Sequence, residues 1–226
     1  MRITYYGHSC FGIETGGIHL LFDPFISPNE RAAHIDIDAI PADYLLVSRA
    51  HGDHIADVLR IGQRTGACLV STFEVVSWFA RQGLTRNQPM NHGGQWAFDF
   101  GTVKLVPAVH SSSFPDGSYG GNPAGFVVRT PDKTFYYSGD TALTYDMKLI
   151  GEYEDLDLAF LCIGDNFTMG IEDAVRAADF IRCDDIVGMH YDTFGYIQID
   201  HAAASSAFAR AGHRLALMEI GETIER

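Results

Sequence analysis

The feature that most narrows the fold is an order of elements that occurs twice: short strands joined by tight turns, then apolar strands alternating with amphipathic helices. In the first round, RITYYG (2–7), CFGIET (10–15), a Gly16-Gly17 turn and IHLLFD (18–23) read as a small antiparallel meander. DYLLVS (43–48), a helix over IADVLRIGQR (55–64), ACLVST (67–72) and a helix over FEVVSWFARQG (73–83) follow. The second round opens with QWAFDFG (95–101), VKLVPAVH (103–110), AGFVVRT (124–130) and KTFYYSG (133–139). Alternation then resumes with DLAFLCIGD (157–165), the helix IEDAVRAADFIR (171–182), IVGMHYD (186–192), the helix AAASSAFARAG (202–212) and RLALMEIG (214–221). Two such rounds predict an α/β (α+β) chain folded as a four-layer αββα sandwich, its two sheets face to face with helices outside. At 226 residues, with no linker or low-complexity tract, one domain over 1–226 is expected.

Histidines and aspartates cluster at one address in this scheme. His51, Asp53 and His54 follow DYLLVS, His110 ends VKLVPAVH, Asp140 follows TFYYSG, and His190 follows IVGM. Each lies at or just beyond the carboxyl end of a predicted strand, the edge where ligands bind in α/β sheets, so four loops can converge there. Two histidines and an aspartate within His51-Gly52-Asp53-His54 make a poor core and an unlikely plain turn; Gly52 is expected to let the backbone turn tightly between them. His110 and His190 taken singly would more often be hydrogen-bonded loop histidines, and Asp140 after Gly139 could simply cap a helix over TALTYDMK. Imidazole and carboxylate donors suit borderline divalent cations: zinc first, with manganese, nickel or iron as alternatives. The absence of thiolate ligands argues against a closed structural zinc site and for an open, catalytic one.

Composition removes other classes. A net charge of −13 gives no basic surface for a phosphate backbone, so no nucleic-acid partner is expected. No apolar run reaches 18 residues and the first residues lack a signal-peptide pattern, so no membrane partner and a cytoplasmic address are expected. Cys10, Cys68, Cys162 and Cys183 show no CxxC spacing, and Cys68 and Cys162 fall in apolar strands, which reads as buried free thiols. An acidic surface bearing aromatic residues is compatible with a homo-oligomer. No GxSxG motif marks a serine nucleophile, so an attacking water activated by metal is the expected chemistry.

The segment SRAHGDHIAD (48–57) resembles the HxHxDH signature of the metallo-β-lactamase superfamily. GHSCFGIE (7–14), LLFDPF (20–25), MNHGGQW (90–96), HSSS (110–113), YSGDT (137–141), DMKLI (146–150) and MHYDTF (189–194) are similar, in order, to the metal-dependent hydrolases that include the ascorbate-phosphate lactonase-like proteins. That resemblance implies two adjacent cations: His51 and His110 at the first, Asp53, His54 and His190 at the second, and Asp140 bridging. It also implies that Asp53 and Asp140 serve catalysis. The expected reaction is hydrolysis of an ester, lactone or phosphodiester bond of a small molecule.

One position departs from the signature. Arg49 stands where the family usually has its first histidine, and a guanidinium has no lone pair for a metal and repels one. Three readings follow: the second site works alone with one metal, two metals bind with the first held weakly and helped by His8 or His92, or catalysis is lost and a metal- or ligand-binding protein remains. Arg49 could also hold an anionic group of the substrate, with Ser111 and Tyr191 as further candidate substrate contacts. His8 is as well suited to joining backbone groups in the first meander as to touching the site, and Asp23-Pro24 reads first as a strand-ending turn with a supporting role open.

Overall fold

The computed structural model of the chain describes residues 1–226. Strands β1 (Arg2–Gly7), β2 (Cys10–Thr15) and β3 (Ile18–Phe22) pair antiparallel. Strands β4 (Tyr44–Leu46), β5 (Cys68–Thr72) and β6 (Asn87–Met90) then add in parallel, with α1 (Gly52–Ile55), α2 (Val58–Thr65) and α3 (Phe73–Ala80) in the connections. The second sheet repeats the plan. Here β7 (Gln95–Phe98), β8 (Gly101–Pro107), β9 (Ala124–Arg129) and β10 (Thr134–Tyr137) run antiparallel. They are followed in parallel by β11 (Leu158–Cys162), β12 (Asp185–Met189) and β13 (Arg214–Ala216), with α4 (Asp146–Tyr153), α5 (Ile171–Ile181) and α6 (His201–Arg210) between. The last strand, β14 (Thr223–Glu225), returns to the first sheet and pairs with β1. Two seven-stranded sheets result, in the orders β14-β1-β2-β3-β4-β5-β6 and β13-β12-β11-β10-β9-β8-β7.

Side-chain alternation makes this a sandwich, because successive residues of a strand face opposite sides. From the first sheet, Phe11, Ile13, Leu20, Phe22, Leu46 and Val70 join a core shared with Phe126, Phe135 and Phe160 of the second sheet. Their neighbours Leu21, Leu45, Val47 and Leu69 turn the other way, onto Val58 and Ile61 of α2 and Val75, Val76 and Phe79 of α3. On the outer face of the second sheet, Ala174, Ala177, Ala178 and Ile181 of α5 and Phe208 of α6 are buried.

Four local differences from the sequence reading have physical causes. Helix α2 starts at Val58 rather than Ile55, because Asp57 ends the turn of α1 and its carboxylate accepts the backbone N–H groups of Ile26 and Ser27 at 2.6 and 2.8 Å. Strand β6, NQPM, is polar and contains Pro89; it is tolerated as an edge, where a missing ladder donor costs little. Gly52 has no left-handed backbone and open space where a Cβ would stand, so the turn after His51 does not require glycine. Asp140 caps no helix, since α4 begins only at Asp146.

Candidate metal centre

Loops from both sheets converge at the carboxyl ends of their strands. β4 leads through Arg49 and His51 into α1, which carries Asp53 and His54; β8 ends at Pro107 ahead of His110; β10 ends at Tyr137 ahead of Asp140; and β12 ends at Met189, next to His190. Gly139, left-handed and with Ala124 O only 2.7 Å from where a Cβ would sit, lets the chain after β10 turn tightly toward Asp140. The His110 and Asp140 loops are tied together: the Val109 N–H donates to Thr141 Oγ1 at 2.9 Å and the Ala142 N–H to Val109 O at 3.1 Å. The turn between β1 and β2 supplies His8, whose carbonyl accepts the His190 N–H at 2.9 Å.

His8, Asp53, His54 and His190 present ligand atoms that all lie within 4.8 Å of one another. Asp140 joins them: its Oδ2 is 2.8 Å from His190 Nε2 and 3.3 Å from His54 Nε2. Asp53 Oδ2 is 3.9 Å from His190 Nε2 and 3.8 Å from His54 Nε2. These contacts are convergent rather than paired. Asp140 is fully buried, yet neither of its oxygens has a hydrogen-bond partner in acceptable geometry, and His54 Nε2 is also buried and unpartnered. Buried carboxylates and imidazoles without partners are costly in a folded chain and are expected where a cation completes the set. The residues present therefore fit a divalent cation with N and O ligands.

A buried scaffold fixes the donor atom of His54. Asp23 accepts the Ser48 N–H at 2.7 Å, the Ser48 hydroxyl at 2.6 Å, and His54 Nδ1 at 2.8 Å, with the Tyr137 hydroxyl also 2.8 Å away. An ionised carboxylate can only accept, so His54 in its neutral, metal-ligating form carries its proton on Nδ1 and turns the Nε2 lone pair toward Asp140 and Asp53. The same logic places a proton on His8 Nε2, which donates to Asp53 Oδ2 at 3.1 Å, while its Nδ1 lies 2.9 Å from Thr193 Oγ1.

Charge is concentrated here. Burial would push the His54 pKa down, but Asp140, then Asp23 and Asp53, outweigh it and the opposing Arg49, raising it to about 10. Burial would likewise raise Asp53 and Asp140. The neighbouring imidazoles, His54 at Asp53 and His190 then His54 at Asp140, together with Arg49, instead hold both well below the usual carboxylate range. Burial, reinforced by His190, lowers His8 to about 4. His51 is also lowered to about 4, by burial and then Arg49.

The other candidate residues fall elsewhere. His51 and His110 lie outside the cluster, their rings edge to face at 5.6 Å, next to Arg49. Arg49 is only 3% exposed. Its Nη2 is 2.7 Å from Asp140 Oδ2 and 3.5 Å from Asp53 Oδ1, and its Nη1 donates to His110 Nδ1. Ser111 contributes backbone only, its N–H donating to His110 Nδ1 at 2.8 Å while its side chain is exposed. Tyr191 is buried, stacked on Tyr5, with its hydroxyl donating to Met218 O at 3.3 Å. His92 donates or accepts nothing at the cluster; its Nε2 meets Pro123 O at 2.8 Å. The roles of His8 and Asp23 were left open by the sequence, and both are buried within or against the site. Their one signal was membership of the blocks GHSCFGIE and LLFDPF.

Comparison with known proteins identifies the family. The family model for the beta-lactamase superfamily domain matches residues 2–190. A UPF0173 metal-dependent hydrolase of Flavobacterium johnsoniae is 56% identical over 225 residues, covering 100% of both chains. Its counterpart in Christiangramia forsetii is 54% identical over 226 residues, again 100% of both. Among solved structures, Igni18, a metallo hydrolase of the hyperthermophilic archaeon Ignicoccus hospitalis, superposes with a TM-score of 0.89 at 33% identity, covering 99% of this chain and 97% of that one. With the fold, the clustered histidines and carboxylates and full-length relatives in accord, the chain belongs to the UPF0173 metal-dependent hydrolases of the beta-lactamase superfamily.

Proposed function

We propose that this chain hydrolyses an ester, lactone or phosphodiester bond of a small molecule at a centre where Asp53, His54, Asp140 and His190 hold a divalent cation, zinc in the first instance. The observation that carries this reading is Asp140: a fully buried carboxylate whose oxygens close no hydrogen bond in acceptable geometry, with His54 Nε2 and His190 Nε2 converging on Oδ2 beside the Arg49 guanidinium. Asp53 is the carboxylate of the set that reaches the surface, its side chain 21% exposed, so water and substrate arrive on its side. His8 orients it by donating to Oδ2, and Thr193 holds His8 in turn. With its pKa held well below the usual range, Asp53 is a weak proton acceptor, since base strength falls with pKa. The acidity of the attacking water must come from elsewhere, and a divalent cation supplies it by lowering the pKa of water from 15.7 to about 7 while polarising the scissile bond. Asp53 and Asp140 then serve by holding charge in place and by directing the water. The acidic surface, net charge −13, supports a small-molecule substrate over a nucleic acid.

A catalytically silent metal- or ligand-binding protein on the same fold is the second reading, favoured by the ion pair of Arg49 with Asp140. The test is turnover of bis(p-nitrophenyl) phosphate, p-nitrophenyl acetate and simple lactones by chelator-stripped protein reloaded with zinc, manganese, nickel or iron. Metal-dependent turnover lost in Asp53→Ala and Asp140→Asn supports the enzyme; stoichiometric metal binding without turnover on any of these supports the silent protein.

A further inference from the structure

We infer that Arg49 is a built-in cation that takes the place of a second metal, so that the chain carries one divalent ion and one guanidinium where an HxHxDH centre would carry two ions. The inference rests on the metal-centre reading above and deepens it. Three observations converge. First, the guanidinium is sequestered rather than offered to solvent: Arg49 is 3% exposed, although arginine seldom buries its head group without partners. Second, its partners are residues that the HxHxDH pattern would give to metal. Nη2 lies 2.7 Å from Asp140 Oδ2, Nη2 also approaches both Asp53 oxygens at 3.5 Å, and Nη1 rests on His110 Nδ1. Third, His110 Nδ1 is engaged by this arginine, since both Arg49 Nη1 and, at 2.8 Å, the Ser111 N–H meet it. A further divalent ion shared by His51, His110 and Asp140 would have to displace a fixed positive charge from a buried carboxylate.

The arrangement also preserves what a second cation would provide. Asp140 is shared between a cation side made by His54 and His190 and a cation side made by Arg49, so its charge is balanced from both directions. The guanidinium ion-pairs with Asp140 and donates to His110, which holds it beside Asp53, the partly exposed carboxylate of the set.

Metal content decides the matter. Wild type, Arg49→His and Arg49→Lys are stripped with chelator, equilibrated with excess zinc, passed over a desalting column and analysed for zinc per chain, with circular dichroism melting as the folding check. About one zinc in wild type and in Arg49→Lys, rising to about two in Arg49→His, is the expected result. Two zinc ions per wild-type chain overturn the inference while leaving the hydrolase reading intact, and this outcome needs no variant to fold. One zinc in both wild type and a folded Arg49→His also overturns it, because the position would then not be what excludes the second ion. No zinc in any of the three overturns the metal-centre reading itself, and the inference with it.

Discussion

Replacing Asp23 by asparagine should uncouple the centre from its scaffold without touching any group that meets the cation. Asp23 is fully buried and accepts Ser48 N–H, Ser48 Oγ–H and His54 Nδ1–H at 2.6–2.8 Å. Asparagine keeps one acceptor oxygen, and the Ser48 N–H on Oδ1 cannot rotate away, so the amide oxygen stays there and the NH2 group faces His54. Two donors then confront each other. Either His54 moves its proton to Nε2, removing the lone pair aimed at Asp140 and Asp53, or a buried N–H is left unpaired at a cost of roughly 1–3 kcal/mol. Disturbing such an outer carboxylate–histidine contact typically weakens metal binding 10- to 100-fold, or about 1.4–2.8 kcal/mol. Tyr137 softens the fold penalty, because its hydroxyl lies 2.7 Å from Ser9 O and can donate there instead. The assay is zinc affinity by competition with a chromophoric chelator, alongside urea unfolding of the metal-free protein. In a His54→Ala background the same substitution should change affinity little, since the coupling passes through that imidazole. Zinc affinity within threefold of wild type in a folded Asp23→Asn protein would refute the argument that Asp23 sets the tautomer of His54.

Three further outcomes follow from the same geometry. Because the metal-free His54 is raised to about 10 and must be neutral to ligate, metal uptake at pH 7–9 should release a proton. Apparent affinity should then climb about tenfold per pH unit until pH approaches 10, read by calorimetry in buffers of different ionisation enthalpy; a flat profile above pH 7 contradicts it. Loading at 100 times the Kd should stabilise the fold by about 2.7 kcal/mol, and at roughly 2–4 °C per kcal/mol for a chain of this size the melting temperature should rise by about 5–11 °C, reversibly lost on chelation. All four cysteines are free and buried, with Cys183 pushed up to about 11 and the other three also raised by burial, so Ellman's reagent at pH 8 should find no fast-reacting thiol until denaturant is added.

Periodicity made the sheets and most helices legible because both sheets bury one face against the other and the second face against helices, so strand and helix patterns are each enforced along most of their length. It failed where pairing, not burial, makes the element. β6 is polar and half-buried, and β14 is a three-residue strand held only by β1. The address rule, histidine or aspartate after a strand end, picked out His54, Asp140 and His190, which the structure brings together, and it equally picked out His51 and His110, which lie beside Arg49. Spacing alone cannot tell these sets apart, since the difference is made by which way a buried arginine points.

His8 and Asp23 were illegible for a more specific reason: both hold left-handed backbone, with φ of 58° and 40°. Nothing in a period-two pattern marks a residue that leaves its strand into that region, and for a non-glycine residue the conformation costs of order 1–3 kcal/mol unless its surroundings impose it. His190 and Asp192, at φ 57° and 59°, do the same after β12. The strained residues hold one another: the His190 N–H donates to His8 O, His8 reaches Asp53 and Thr193, and Asp23 gathers Ser48 and His54. Three unfavourable backbones, at His8, Asp23 and His190 on three separate loops, each tied by hydrogen bonds to the cluster, are hard to explain as economy of folding, because extended or helical residues could close the same turns at lower cost. They are explained if the loops are shaped by the need to bring His54, Asp53, Asp140 and His190 to a common point, with the two packed sheets beneath supplying the stability that this convergence spends.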